Sequence, residues 1–185
     1  MTHLTRAELE AGLDTIRQAP QDGGRLELIV RRPRVGVREV IDAGELSLAE
    51  GLVGDSWIRR GGLRSADGSP DLDAQLNVMS SRVIALIAQD KSRWPLAGDQ
   101  LFLDMDLSEE NLPAGTRLEL GGAVIEVTEE PHTGCGKFVE RYGVDAMKFV
   151  NSTVGRALHL RGINARVVQP GAIRVGDLAR KTRRG

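Results

Sequence analysis

The segment Arg117-Leu-Glu-Leu-Gly-Gly-Ala-Val-Ile-Glu-Val127 constrains the fold of this chain more than any other. Apolar residues alternate with polar ones on both sides of Gly121-Gly122, a dipeptide favoured in two-residue hairpin turns because it tolerates positive φ. The pattern also sets the register. Pairing Leu120 with Ala123 puts Leu118 opposite Ile125 on one face and Arg117 opposite Glu126 on the other, so apolar and charged partners both match. An antiparallel hairpin with one buried face is predicted.

Further strands are expected around it. Leu26, Leu28 and Val30 alternate after Asp22-Gly23-Gly24, and Val35, Val37 and Ile41 suggest a second strand. Ala165 to Val168 and Ile173 to Val175 flank Gln169-Pro-Gly-Ala172, which suits a type II turn and predicts a second β pair. Helices are inserted between these strands. Thr5 and Glu8 read as a capping box opening a helix through Leu9, Leu13 and Ile16 to about Ala19. Ser80 or Ser81 can cap a helix bearing Val83, Leu86 and Ile87, with Trp94-Pro95 at its exit. Phe138, Tyr142, Ala146 and Phe149 form one helical stripe, interrupted where Gly143 ends one helix and Asp145 begins another. Gly51 to Pro70, rich in glycine, serine and charge, reads as a long surface loop. The expected fold class is mainly β with inserted helices (α+β), a β-barrel or curled mixed sheet rather than a doubly wound parallel sheet.

The 185 residues suffice for one ordinary domain, divided here into a helix and linker over 1–24, a single domain over 25–180 and a basic tail over 181–185. With 41% hydrophobic and 28% charged residues the chain is globular rather than disordered. Its 25 Lys and Arg nearly cancel its 26 Asp and Glu, so no bulk field favours nucleic acid or an anionic membrane. Apolar runs such as Val83 to Ala88 fall far short of the roughly 18 residues of a transmembrane helix. Glu8, Glu10 and Asp14 interrupt any secretory signal pattern, so a soluble, cytoplasmic protein is expected. A single cysteine forms no internal disulfide and agrees with a reducing compartment.

That cysteine is the leading candidate for chemistry. In Glu130-Pro-His-Thr-Gly-Cys-Gly-Lys-Phe138, Gly134 and Gly136 leave the Cys135 sulfur open. Lys137, the start of a helix and His132 would all favour the thiolate, a nucleophile and soft metal ligand. Burial as a small hydrophobe is the alternative, for which two glycines and a lysine are poor partners. His132 could orient neighbours, face water or act as a base. The His132 and Cys135 spacing matches half a zinc site, but there is no second cysteine, and His3 and His159 stand in unrelated contexts. No Gly-x-Ser-x-Gly supports a serine hydrolase. Arg161 and Arg166 with Asn164 between them could receive a carboxylate or phosphate, or form an ordinary basic strand edge. Arg59, Arg60 and Arg64, with Gly61 and Gly62, make a second basic loop with the same two readings, and Arg180 to Arg184 reads as a solvated tail.

Taken in order, several segments resemble the MOSC domain family, named for the C-terminal domain of molybdenum cofactor sulfurase. They are Gly54-Asp55, Gln75-Leu-Asn-Val-Met79, Gly98-Asp-Gln100, Leu107-Ser-Glu-Glu-Asn-Leu-Pro-Ala-Gly-Thr116, the Gly121-Gly122 hairpin, Cys135, Arg161-Gly162 with Asn164-Ala-Arg166, and Gly176-Asp177. The resemblance implies a mainly β, barrel-like fold and a cysteine, here Cys135, that handles sulfur or ligates molybdenum in a molybdopterin-type cofactor. His132, Gly134, Lys137, Arg161, Asn164 and Arg166 are then the expected cofactor-binding residues, with a sulfur-donor or electron-donor protein as partner. A persulfide carrier on Cys135 is the alternative function. Many relatives carry a histidine soon after the first Gly-Asp pair, where this chain reads Gly54-Asp-Ser-Trp-Ile-Arg-Arg-Gly61. Pyridoxal phosphate, used by relatives fused to a desulfurase domain, is not expected to bind this chain.

Overall fold

A computed structural model describes residues 2–59 and 68–182. The capping box is present: the Thr5 N–H donates to Glu8 Oε2 at 2.8 Å and the Glu8 N–H to Thr5 Oγ1 at 3.4 Å. The helix it opens does not run unbroken to Ala19. It divides at Gly12 into α1 (Arg6–Ala11) and α2 (Leu13–Arg17). Leu86 presses on that point so closely that a Cβ at position 12 would stand 2.5 Å from its Cδ2.

Among the described residues eleven strands follow. They are β1 (Gly24–Arg31), β2 (Glu39–Ile41), β3 (Ala43–Ser47), β4 (Gly51–Leu52), β5 (Leu76–Ser80), β6 (Leu101–Asp104), β7 (Arg117–Leu120), β8 (Ala123–Val127), β9 (Ile163–Gln169), β10 (Gly171–Arg174) and β11 (Leu178–Lys181). The remaining helices are α3 (Ser81–Ala88), α4 (Gly136–Tyr142), α5 (Val144–Val150) and α6 (Thr153–Ala157). Seven strands close on themselves in the order β1-β11-β7-β8-β9-β5-β6 and back to β1. All neighbours are antiparallel except β5 and β6, whose parallel pairing requires the crossover through α3 and a 3-10 turn over Lys91–Ala97. A smaller sheet, β10-β3-β4, adds Leu46, Leu52 and Ile173 to the barrel's apolar core. The mainly β, α+β expectation holds.

The hairpin β7–β8 forms in the register its sequence dictates, Arg117 to Glu126, Leu118 to Ile125 and Leu120 to Ala123. Gly121 at φ +59° is needed there, since a Cβ would lie 2.6 Å from Ala172 O. That contact also explains a correction. β9 and β10 do not pair: β9 lies between β8 and β5, while β10 joins β3 and receives the Gly122 N–H on Ala172 O at 2.8 Å. Gly171 lacks the positive φ that a type II turn demands, so the chain swings out of the barrel instead of folding back. Upstream, Val35 is 90% exposed in a turn closed by the Val37 N–H on Arg34 O, and the second strand begins only at Glu39. Nor is Gly51 to Pro70 all surface loop, since Gly51 and Leu52 form buried β4 and Asp55, Ser56 and Trp57 are buried. Trp94 and Pro95, too, are buried in the 3-10 turn rather than marking an exit.

β1 departs from simple alternation as well. A bulge at Glu27 shifts its register against β6, so Leu26 and Ile29 enter the barrel while Leu28 and Val30 face outward. With Met79 and Phe102 they meet Leu9, Ile16, Val83, Ile84 and Ile87 in a second core outside the barrel. Phe138, Tyr142, Ala146 and Phe149 complete that core from α4 and α5, which Gly143 separates as the stripe implied. No helix among the described residues is long and apolar enough to cross a membrane.

Candidate functional site

The loop between β8 and α4 runs over one end of the barrel, and a polar network pins it there. Arg32, just past β1, forks onto Asp55 with Nε to Oδ2 at 2.9 Å and Nη2 to Oδ1 at 3.0 Å. Its Nη1 donates to Asn77 Oδ1 at 3.1 Å. Asn77 Nδ2 donates to Asn164 Oδ1 at 2.6 Å, and Asn164 Nδ2 donates to the Glu130 carbonyl at 2.9 Å. Asn77 on β5 and Asn164 on β9 are direct partners in the sheet, which is why side chains so far apart in sequence meet.

Beside this chain lies a buried ion pair. Arg161 Nη1 donates to both Asp99 oxygens at 2.9 and 2.8 Å, Nη2 donates to Ala97 O at 3.0 Å, and the guanidinium lies 5.1 Å from the centre of the Phe138 ring. Full burial pushes the Asp99 carboxyl upward from its usual range, against the pull of Arg161. Gly162, at φ +107°, brings β9 against β5, where a Cβ would stand 2.3 Å from Val78 O.

His132 points into this pair, with Nδ1 3.5 Å from Asp99 Oδ1 and no hydrogen-bond partner. Burial first, then the positive charges of Arg161 and Arg32, hold its pKa well below the ordinary value, so the ring is neutral. The expectation that His132 lends positive charge to the thiolate is therefore corrected: burial, and after it the nearby Arg161 and Arg32, disfavour the charge it would need.

Cys135 stands three residues further on as the N-terminal cap residue of α4, and it is exposed. Asn151 fixes the approach to it by accepting from the Gly134 N–H at 2.9 Å and donating to Gly134 O at 3.1 Å. Lys137 is exposed on α4. A cleft of about 720 Å3 opens next to the loop, with His132, Arg161 and Asn164 in its wall together with Asn151, Arg156 and His159. Cys135, Gly134, Lys137 and Arg166 do not line it.

The two arginines taken together from the sequence diverge. Arg161 is buried in its ion pair, while Arg166 lies on the surface, Nη2 at 2.6 Å from Glu126 Oε1 and Nη1 at 3.4 Å from Asp73 Oδ1. Arg161 stands in the turn before β9, ahead of left-handed Gly162, whereas Arg166 lies within the strand. Arg59 reaches Pro33 O, whereas Arg60, Gly61, Gly62 and Arg64 of that loop lie outside the described residues. Arg32, Asp55, Asn77, Asp99 and Asn151 were not singled out for roles from the sequence. Their partners stand far off in sequence, which no local pattern reveals; Asp55, Asn77 and Asp99 did lie within short motifs of the family resemblance, whereas Arg32 and Asn151 gave no signal.

The chain belongs to the MOSC domain family, whose model matches residues 71–180. That family is associated with the molybdenum cofactor. The fold is similar to that of the YuaD protein from Bacillus subtilis, at TM-score 0.60 and 22% identity over 87% of this chain and 97% of that one. It is also similar to YiiM from Escherichia coli, at TM-score 0.54 and 18% identity over 87% and 71%, and to YiiM from Geobacillus stearothermophilus, at 0.55 and 15% over 89% and 76%. No curated protein sequence matches the chain.

Proposed function

We propose that this protein binds a molybdopterin-type molybdenum cofactor, with the Cys135 thiolate on the metal and the organic part against the neighbouring cleft. The observation that carries the reading is an exposed thiol, three residues from the His132 wall of a cleft of about 720 Å3, a size suited to a cofactor. The donor set fits. Among the described residues no group of three or more His, Cys, Asp and Glu could hold a bare ion, but a metal carried by its own organic ligand needs only one soft protein donor. The unpartnered Nδ1 of neutral His132 is a polar atom with capacity to spare at the same place.

When bound, such a cofactor supplies a redox-active metal. The chain supplies position: Asn151 and Asn164 hold the loop on either side of His132, and the Arg161–Asp99 pair keeps its floor rigid. The setting is a cytoplasmic one, with an electron-donor protein as partner.

Protein purified from a host that makes molybdenum cofactor is expected to carry molybdenum and pterin approaching one per chain, and Cys135→Ser to carry little of either. Absence of both from the native protein overturns the reading.

A second reading, a persulfide carrier, is favoured by Cys135 standing exposed outside the cleft wall. The thiolate would attack the outer sulfur of a donor protein's persulfide, taking that sulfur and releasing the donor's thiolate. Its signature is a mass gain of one sulfur on Cys135, removed by reductant.

A further inference from the structure

Three guanidinium groups converge on Gly98, the left-handed residue that ends the 3-10 turn before β6. Arg32 donates Nη1 to Gly98 O at 2.6 Å, and its charge is met by Asp55. Arg38, just before β2, and Arg141, in the last turn of α4, have no such counter-charge: among the described residues neither pairs with a carboxylate. Arg38 donates Nη1 to Val37 O at 2.9 Å, while its Nε is buried without any acceptor. Arg141 Nη1 donates to Leu96 O.

Between these two groups there is room. The point where a Cβ on Gly98 would stand is 3.8 Å from Arg141 Nη1 and 3.9 Å from Arg38 Nη2. Apart from Gly98 and its chain neighbours, no other heavy atom comes within 4 Å of that point among the described residues. Burial and the like charges of Arg141 and Arg32 hold the Arg38 pKa below its usual value, with Asp55 and Tyr142 opposing them. Like charges facing an open point, one with an idle buried donor, form an arrangement that an anion would complete.

We propose that Arg38 and Arg141 bind an oxyanion of the phosphate class over Gly98. The site is separate from the Arg161–Asp99 pair, whose Nη donors are occupied. Arg141 follows Cys135 by six residues along α4, so the two are about 9 Å apart along its axis. Lys137 lies one turn before Arg141 on the same side of α4. A phosphate ester reaching Cys135 could therefore end at this site, and free phosphate could occupy it alone. The proposal does not depend on the cofactor reading.

Inorganic phosphate is the probe, titrated into the purified protein at constant ionic strength with chloride and followed by 31P line broadening and by Tm. Wild type is expected to broaden the signal and to gain Tm in phosphate over chloride. Arg38→Gln should weaken phosphate binding by about tenfold or more, as loss of a charge-assisted donor pair requires. Arg166→Gln, at an arginine already paired with Glu126 and Asp73, should bind as wild type does. Arg38→Gln removes an uncompensated charge, so it is expected to keep or raise Tm in chloride, which separates lost binding from lost folding.

Equal behaviour of wild type in phosphate and chloride overturns the site, as does an Arg38→Gln protein that binds phosphate undiminished. The source is read by comparing protein from hosts that make and do not make molybdenum cofactor. Phosphate binding blocked only in the former assigns the site to the cofactor's own phosphate, and binding equal in both assigns it to free phosphate.

Discussion

Arg161 and Arg166 show how much a side chain's setting changes what its removal does. Arg161→Ala would strand the Asp99 carboxylate in a site that water does not reach, so a loss of about 3–5 kcal/mol in urea unfolding is expected. Arg166→Ala breaks exposed pairs and should cost no more than about 1 kcal/mol. Equal losses would show that the buried pair is not closed in solution. His132 sets a pH dependence. Its folded pKa lies below its unfolded one, so the unfolded chain binds the extra proton, and stability falls as pH drops below about 6.5. The slope from this one ring is at most about 1.4 kcal/mol per pH unit. A His132→Gln variant should show a correspondingly flatter profile between pH 7 and 5. At this scale the sequence told only part of the story: open glycines announced Cys135, but nothing local announced that His132 would be largely shielded beside the Asp99–Arg161 pair and held neutral.

Among the elements, those specified by neighbours in sequence were legible. The β7–β8 hairpin, the Thr5 cap and the break at Gly143 rest on contacts within a few residues, and each formed as read. Those specified by distant partners were not. The separation of β9 from β10 depends on Gly171 packing against Gly122, and the shift in β1 depends on β6, neither of which leaves a local pattern. Gly162 is where this non-local geometry bears hardest on the site. Gly162→Ala would meet Val78 O and a strained backbone together, so a loss of at least about 2 kcal/mol is expected, measurable as a lower urea midpoint. An unchanged midpoint would mean that β9 stands further from β5.

The whole molecule has two apolar cores back to back, sharing the strands β1, β5 and β6 as a common wall. Phe102 fills the outer core and Leu103, its neighbour in sequence, the inner one. Truncating either to Ala should cost about 2–5 kcal/mol. Because the wall is shared, far-ultraviolet circular dichroism and the fluorescence of Trp94, read in a Trp57→Phe background, should report one coincident transition in both variants. Two separated transitions would show that the helical layer unfolds on its own. The parallel joint between β5 and β6 has a further consequence for the order of assembly. Gly98 and Asp99 arrive on the crossover that makes this joint, so the Arg161 pair and the Gly98 arginines come together only once β6 has slotted between β1 and β5. On the proposed reading, a half-folded chain has the thiol loop without the buried ion pair beside His132, and only the finished barrel presents both at once.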